Sequence, residues 1–113
     1  MQVIHVGGDE SVGEAVAVAP LVDAILLDSG NPALAVKELG GTGRTHDWTV
    51  SRRIRESVAV PVWLAGGLGA HNVVDAIARV RPHGVDICSG VRTGGRLDPA
   101  KLATFFAAVL AAA

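Results

Sequence analysis

Pro61-Val62-Trp63-Leu64-Ala65-Gly66-Gly67-Leu68-Gly69 reads as a β-strand that stops abruptly in a glycine-rich turn. β-favouring side chains give way to two glycines, which accept backbone angles that other residues resist. Beyond the turn, Val73, Val74, Ile77 and Val80 recur at the spacing of one helical face. Strand, tight turn and helix in that order form the unit from which parallel sheets are built.

The same unit recurs outward in both directions. Residues 3–6 make a short β-favouring run stopped by Gly7-Gly8. Ser11-Val12-Gly13-Glu14 then has the spacing of a capping box, in which Ser and Glu side chains satisfy free helix-end amides. Val12, Ala15, Val16 and Ala19 mark the face of that first helix, and Pro20 ends it. Residues 23–28 follow as a nearly continuous apolar strand of the kind parallel sheets bury on both faces. A helix over about residues 48–58 precedes the strand quoted above, and residues 84–88 form the last strand. Asp98-Pro99 supplies an N-cap and a first-turn proline for a final helix, with Leu102, Phe105, Phe106 and Val109 as its apolar stripe.

Strands alternating with helices imply a parallel sheet with right-handed crossovers, so residues 1–113 read as a single α/β domain of four βα units. Two architectures fit: a small open doubly wound sheet, or four consecutive staves of a (β/α)₈ barrel. Periodicity does not choose between them. A complete barrel takes about 250 residues, with roughly 200 as the lower limit, so this chain is long enough for only half of one.

Composition narrows the function classes. Half of the residues are apolar, yet there are only two Trp, two Phe and no Tyr, so small aliphatic side chains carry the packing. Ten Lys and Arg against eleven Asp and Glu give no electrostatic basis for a nucleic-acid or anionic-membrane partner. Cys88 is the lone cysteine, which excludes an intrachain disulfide and a thiolate metal cluster. His5, His46, His71 and His83 lack metal-ligand spacing. No run reaches the ~18 to 20 apolar residues of a membrane span. The N-terminal stretch lacks the basic flank and long apolar core of a signal peptide. A cytoplasmic location is the expectation.

The loops carry the chemistry. Gly66-Gly67 follows the third strand and Ser89-Gly90 the fourth. Glycines let backbone amides approach an anion, and each following helix adds unpaired amides and a positive dipole end. The pair reads as a phosphate cradle, or more plainly as two tight turns. Residues 29–46 form a long glycine-rich segment that ends in Gly40-Gly41-Thr42-Gly43-Arg44-Thr45-His46-Asp47-Trp48. Asp47 is either a general acid carried on that loop or the N-cap of the next helix, and one carboxylate does not easily do both. Asp28, ending the second strand, and Asp86, within the last, read as site residues or as loop anchors. Cys88 has apolar neighbours and no adjacent base, as a packed core thiol does. Arg52, Arg53 and Arg55 read as a solvated helix face. His5 gains interest only if its strand faces a barrel interior.

Ile25-Leu26-Leu27-Asp28, the Gly40–Gly43 run with Asp47-Trp48, Leu64-Ala65-Gly66-Gly67-Leu68 and Asp86-Ile87-Cys88-Ser89-Gly90-Val91 occur in an order that resembles the second half of phosphoribosylanthranilate isomerases. These are small (β/α)₈-barrel enzymes of tryptophan biosynthesis. Each piece alone is weak; the ordered combination is specific and covers most of the chain. The resemblance implies half of a TIM (β/α)₈ barrel of the ribulose-phosphate-binding type, strands five to eight. It implies Asp47 as general acid and a sugar phosphate held around Gly66, Gly67, Ser89 and Gly90, with Asp28, Asp86, Gly41 and Gly43 in the binding rim. The implied reaction is an Amadori rearrangement of an N-linked ribose phosphate, which requires no metal or organic cofactor.

The departures from the family pattern matter as much. The family's general base is a cysteine ending the first barrel strand, which this chain lacks; Cys88 lies on the eighth. Much of the anthranilate-binding side also belongs to the absent half. His46 stands where phenylalanine is usual, which suggests a divergent paralogue with another substrate. A half barrel exposes its inner face and two strand edges, so a second copy or an N-terminal half-barrel partner is expected to cover them. Met1 directly before a strand suggests a fragment. The alternatives are a non-catalytic sugar-phosphate-binding or assembly module, and another phosphate-binding barrel enzyme such as an epimerase or synthase.

Overall fold

A computed structural model describes residues 1–28, 48–87 and 89–112. Four parallel strands, β1 (Gln2–His5), β2 (Ile25–Asp28), β3 (Val62–Ala65) and β4 (Gly84–Val85), lie side by side in chain order. The described helices are α1 (Glu10–Val18), α2 (Trp48–Ser57), α3 (Val73–Val80) and α4 (Pro99–Ala112), and each packs on the next. An order without reversal separates the two architectures, because a doubly wound sheet reverses direction at its switch point. The arrangement is that of a (β/α)₈-barrel-type sheet.

Register decides which side chains form the core. Ile4, Leu27, Leu64 and Val85 share one row across the sheet, and Val3, Leu26, Trp63 and Gly84 share the next. Successive residues of a strand point to opposite faces. Ile4, Ile25, Leu27, Val62 and Leu64 therefore point together into the helices, each at most 2% exposed. Ala15, Ile54, Ala76 and Val80 meet them from the helical side. Each fully buried Leu, Ile or Val contributes about 1.5–3 kcal/mol relative to exposure. The alternate row is more open: Val3 is exposed, and Leu26 and Trp63 are half-buried. Trp63 lies across Gly84, where an added Cβ would overlap the indole ring, and His83 meets that ring edge-on at 5.3 Å.

Several expectations need correction. Ser11 does not cap α1. It sits inside the helix, buried, and its hydroxyl accepts the Gly7 amide at 2.9 Å, tying the strand–helix turn instead. Val16, Val74 and Phe106 were expected on buried faces and are exposed. Ala15 and Phe105 are buried as expected, and in α3 the buried residues are Val73, Ala76 and Val80. The small Ala15 and Ala76 let their helices come close to the sheet. The second strand starts at Ile25 rather than residue 23. The last strand ends at Val85, leaving Asp86 exposed just beyond it, so no buried carboxylate requires a partner there. An antiparallel hairpin, β5 (Arg92–Thr93) with β6 (Arg96–Leu97), is an addition. Its turn residues Gly94 and Gly95 have φ of 60° and 79°, the left-handed pair that two-residue hairpins use.

The cap on α4 is as expected. The Asp98 Oδ1 accepts the amides of Ala100 and Lys101 at 3.0 and 3.2 Å, and its Oδ2 accepts the Thr93 hydroxyl at 2.7 Å. The Thr93 bond, followed by the Lys101 amide, holds the Asp98 carboxyl below its ordinary range.

Two outcomes follow from this packing. Leu64→Ala should lower unfolding free energy by about 2–5 kcal/mol in urea titration, since it empties the centre of the shared row. Folding lowers the Asp98 pKa, so its contribution is full above the unfolded value and is lost as pH falls through the folded one. Acid-dependent loss of helical circular dichroism should therefore be shallower in Asp98→Asn than in the parent chain.

Candidate functional site

The strand ends place a second row on the face away from the helices. His5, Asp28 and Ala65 are in register, one step beyond the Val3–Leu26–Trp63 row. Asp86 extends it, because its amide donates to the Leu64 carbonyl at 2.8 Å and so continues the β3–β4 ladder. His5 Nδ1 and Asp28 Oδ2 are 3.6 Å apart, with side chains 61% and 34% exposed. Polar side chains from β1, β2 and the residue after β4 thus stand along the C-terminal rim, over an apolar floor of Leu26 and Trp63.

Two glycine loops close over the same rim. Gly66 and Gly67, directly after β3, have φ of 95° and 65°, a turn that L-residues adopt only with strain. Asn72, just before α3, ties the turn together: its Oδ1 accepts the Gly69 amide at 2.9 Å and its Nδ2 donates to the Gly67 carbonyl at 3.0 Å. The loop after β4 enters a 3₁₀ turn, Ser89–Val91. There Gly90 packs so tightly against its neighbour that an added Cβ would overlap the Leu68 carbonyl oxygen and stand 3.1 Å from the Gly69 Cα. The two loops are in direct backbone contact.

The sequence-derived residues divide accordingly. Gly66, Gly67, Gly90, Asp28 and Asp86 are brought to one rim, with the backbone of Ser89 beside them. Asp47, Gly41 and Gly43 lie outside the described residues, as do His46 and Cys88. Arg52 and Arg53 are solvated, pairing with Glu56 at 3.2 Å and Asp9 at 2.7 Å. Arg55 differs: its Nε donates to the Val80 carbonyl at 2.9 Å, closing the last turn of α3. Sequence reasoning missed Asn72, although an asparagine just before a helical run is itself a recognisable cap signal.

Fold and rim together define an α/β protein of (β/α)₈-barrel type whose glycine loops meet at the C-terminal ends of its strands. The sequence model of N-(5'-phosphoribosyl)anthranilate (PRA) isomerase matches residues 2–108, and the chain belongs to that family. The N-(5'-phosphoribosyl)anthranilate isomerase of Methanothrix thermoacetophila is 49% identical over 94 residues, covering 80% of this chain and 42% of that protein. Phosphoribosyl anthranilate isomerase from Thermotoga maritima superposes with a TM-score of 0.77 at 31% identity, covering 96% of this chain and 50% of that one. A further phosphoribosyl anthranilate isomerase, solved in complex with reduced 1-(o-carboxyphenylamino)-1-deoxyribulose 5-phosphate, superposes at 0.73 with 26% identity, covering 96% of this chain and 47% of that one. The chain spans about half the length of the relatives it matches.

The loop contact predicts opposite effects at two glycines. Gly90→Ala should destabilise by about 1–3 kcal/mol, because the methyl meets backbone that has no room to move. Gly13→Ala, in α1 with nothing within 4 Å of the added carbon, should stabilise by about 0.5–1 kcal/mol. Urea midpoints of the two variants against the parent chain check both.

Proposed function

We propose that this chain is the phosphate-binding half of a PRA isomerase, strands five to eight of the barrel, and that it works when a complementary half closes the sheet. One observation carries the reading: the loops at Gly66-Gly67 and Gly90 touch at the rim where Asp28 and Asp86 stand. Backbone amides of such loops suit a phosphate, and the rule for this fold puts phosphate after strands seven and eight. A phosphate site also suits the phosphorylated ligand with which one relative was solved.

The chemistry needs an acid, a base and a phosphate anchor. An acid protonates the ribose ring oxygen, the ring opens to a protonated Schiff base, and a base removes the C2 proton. The resulting enolamine tautomerises to the aminoketose. The loops around Gly66, Gly67, Ser89 and Gly90 anchor the phosphate, with Gly41 and Gly43 assigned to the rim from the sequence resemblance. Two carboxylates compete for the acid. Asp47 is the choice that the sequence resemblance implies. Asp28 has the geometric support, since it ends a central strand, faces the open side of the sheet and is paired with His5. The base comes from the complementary half, in line with the family's first-strand cysteine. That half is either a second copy, acting through residues in place of that cysteine, or an N-terminal half-barrel.

The test is turnover of phosphoribosylanthranilate by the chain assembled with the N-terminal half of a relative. Conversion to the aminoketose is expected from the assembly and not from the chain alone. Asp28→Asn and Asp47→Asn are then compared: the variant that lowers kcat by about 10²–10⁴-fold with KM little changed identifies the acid. Saturable binding of the substrate without turnover in any assembly would instead favour a non-catalytic binding module.

A further inference from the structure

The Asn72 side chain reaches both arms of the Gly66–Gly69 turn at once, accepting from the Gly69 amide and donating to the Gly67 carbonyl. A trans peptide is rigid, with its carbonyl and the next N–H pointing opposite ways. Drawing the Gly67 carbonyl toward Asn72 therefore turns the Leu68 N–H away from Asn72. The Gly69 amide is consumed by Asn72 Oδ1, and the Gly69 carbonyl accepts the amides of Asn72 and Val73 at 3.1 and 2.9 Å. Among the described residues, no hydrogen bond engages the amides of Gly67 and Leu68. The asparagine thus fixes which loop amides are spent inside the turn and which stay available.

Two glycines with positive φ give the turn no rigidity of their own, since glycine visits both hands of the backbone readily. A side chain that bonds to both ends supplies what they lack. We propose that Asn72 is a positioning residue for phosphate, locking the turn after β3 in the form whose free amides face an anion. This rests on the phosphate reading above.

The probe is inorganic phosphate, titrated into the chain and followed by amide chemical shifts of residues 66–68 and 90. Parent, Asn72→Ala and Asn72→Ser are compared at a temperature where circular dichroism shows each one folded. Asn72→Ala is expected to raise the phosphate Kd about tenfold, and Asn72→Ser, which keeps one polar group, by less. A purely structural role would lower the thermal midpoint and leave the Kd of the folded protein unchanged. Parent binding with both variants within about twofold of it would overturn the role of Asn72 while leaving the phosphate site standing. Absence of saturable phosphate binding in the parent would overturn both. If Asn72→Ala does not fold, Asn72→Ser decides: weaker binding supports the proposal and unchanged binding overturns it.

Discussion

The two-residue period of four parallel strands held in one register is the constraint on which the remaining structure depends. Pointing Ile4, Leu27 and Leu64 into the helices forces Val3, Leu26 and Trp63 to the other face. The next step places His5, Asp28 and Ala65 at the rim on that same open side. A slip of one residue in β2 would bury Asp28 under a helix and expose Leu27. Core and candidate site are therefore set by the same pairing, and the energy that holds the first also aims the second.

The same register leaves work undone. Among the described residues, β1 and β4 each have a single neighbour, so each presents an unpaired edge. The face away from the helices carries exposed Val3 beside half-buried Leu26 and Trp63, and α4 exposes Phe106 and Leu110 one turn apart. A complementary set of strands and helices would cover these groups as β-sheet and helix packing already cover the rest. These uncovered groups are what the proposed second half would bury, an argument independent of the length of the relatives.

Much of this was legible in the chain itself, for identifiable reasons. Alternation of apolar runs with glycine turns marked all four strands, and Asp98-Pro99 marked the start of α4 to the residue. The glycine signal was legible because Gly66 and Gly67 take positive φ and Gly90 sits where backbone meets backbone. Helix faces were harder to read. A valine counts as apolar wherever it falls, but Val16 and Val74 lie on the outside while Ala15 and Ala76 take the tight contacts. The Ser11 reading failed because a capping-box spacing occurs equally well one residue inside a helix, where the hydroxyl bonds backward to Gly7. Asn72 was passed over because its bonds reach back into the preceding turn, and sequence spacing alone does not reveal that direction. The 92–97 hairpin has a Gly-Gly signal that short flanking strands made easy to miss.

The most direct test of the central claim, that this chain is half of a barrel with an open face, is solution mass by light scattering. The chain is measured over a concentration series, alone and mixed with the N-terminal half of a related isomerase. The account predicts either a dimer of the chain or a one-to-one complex with the complementary half, with no aggregate once the face is covered. A soluble monomer that neither self-associates nor takes up that half would contradict it.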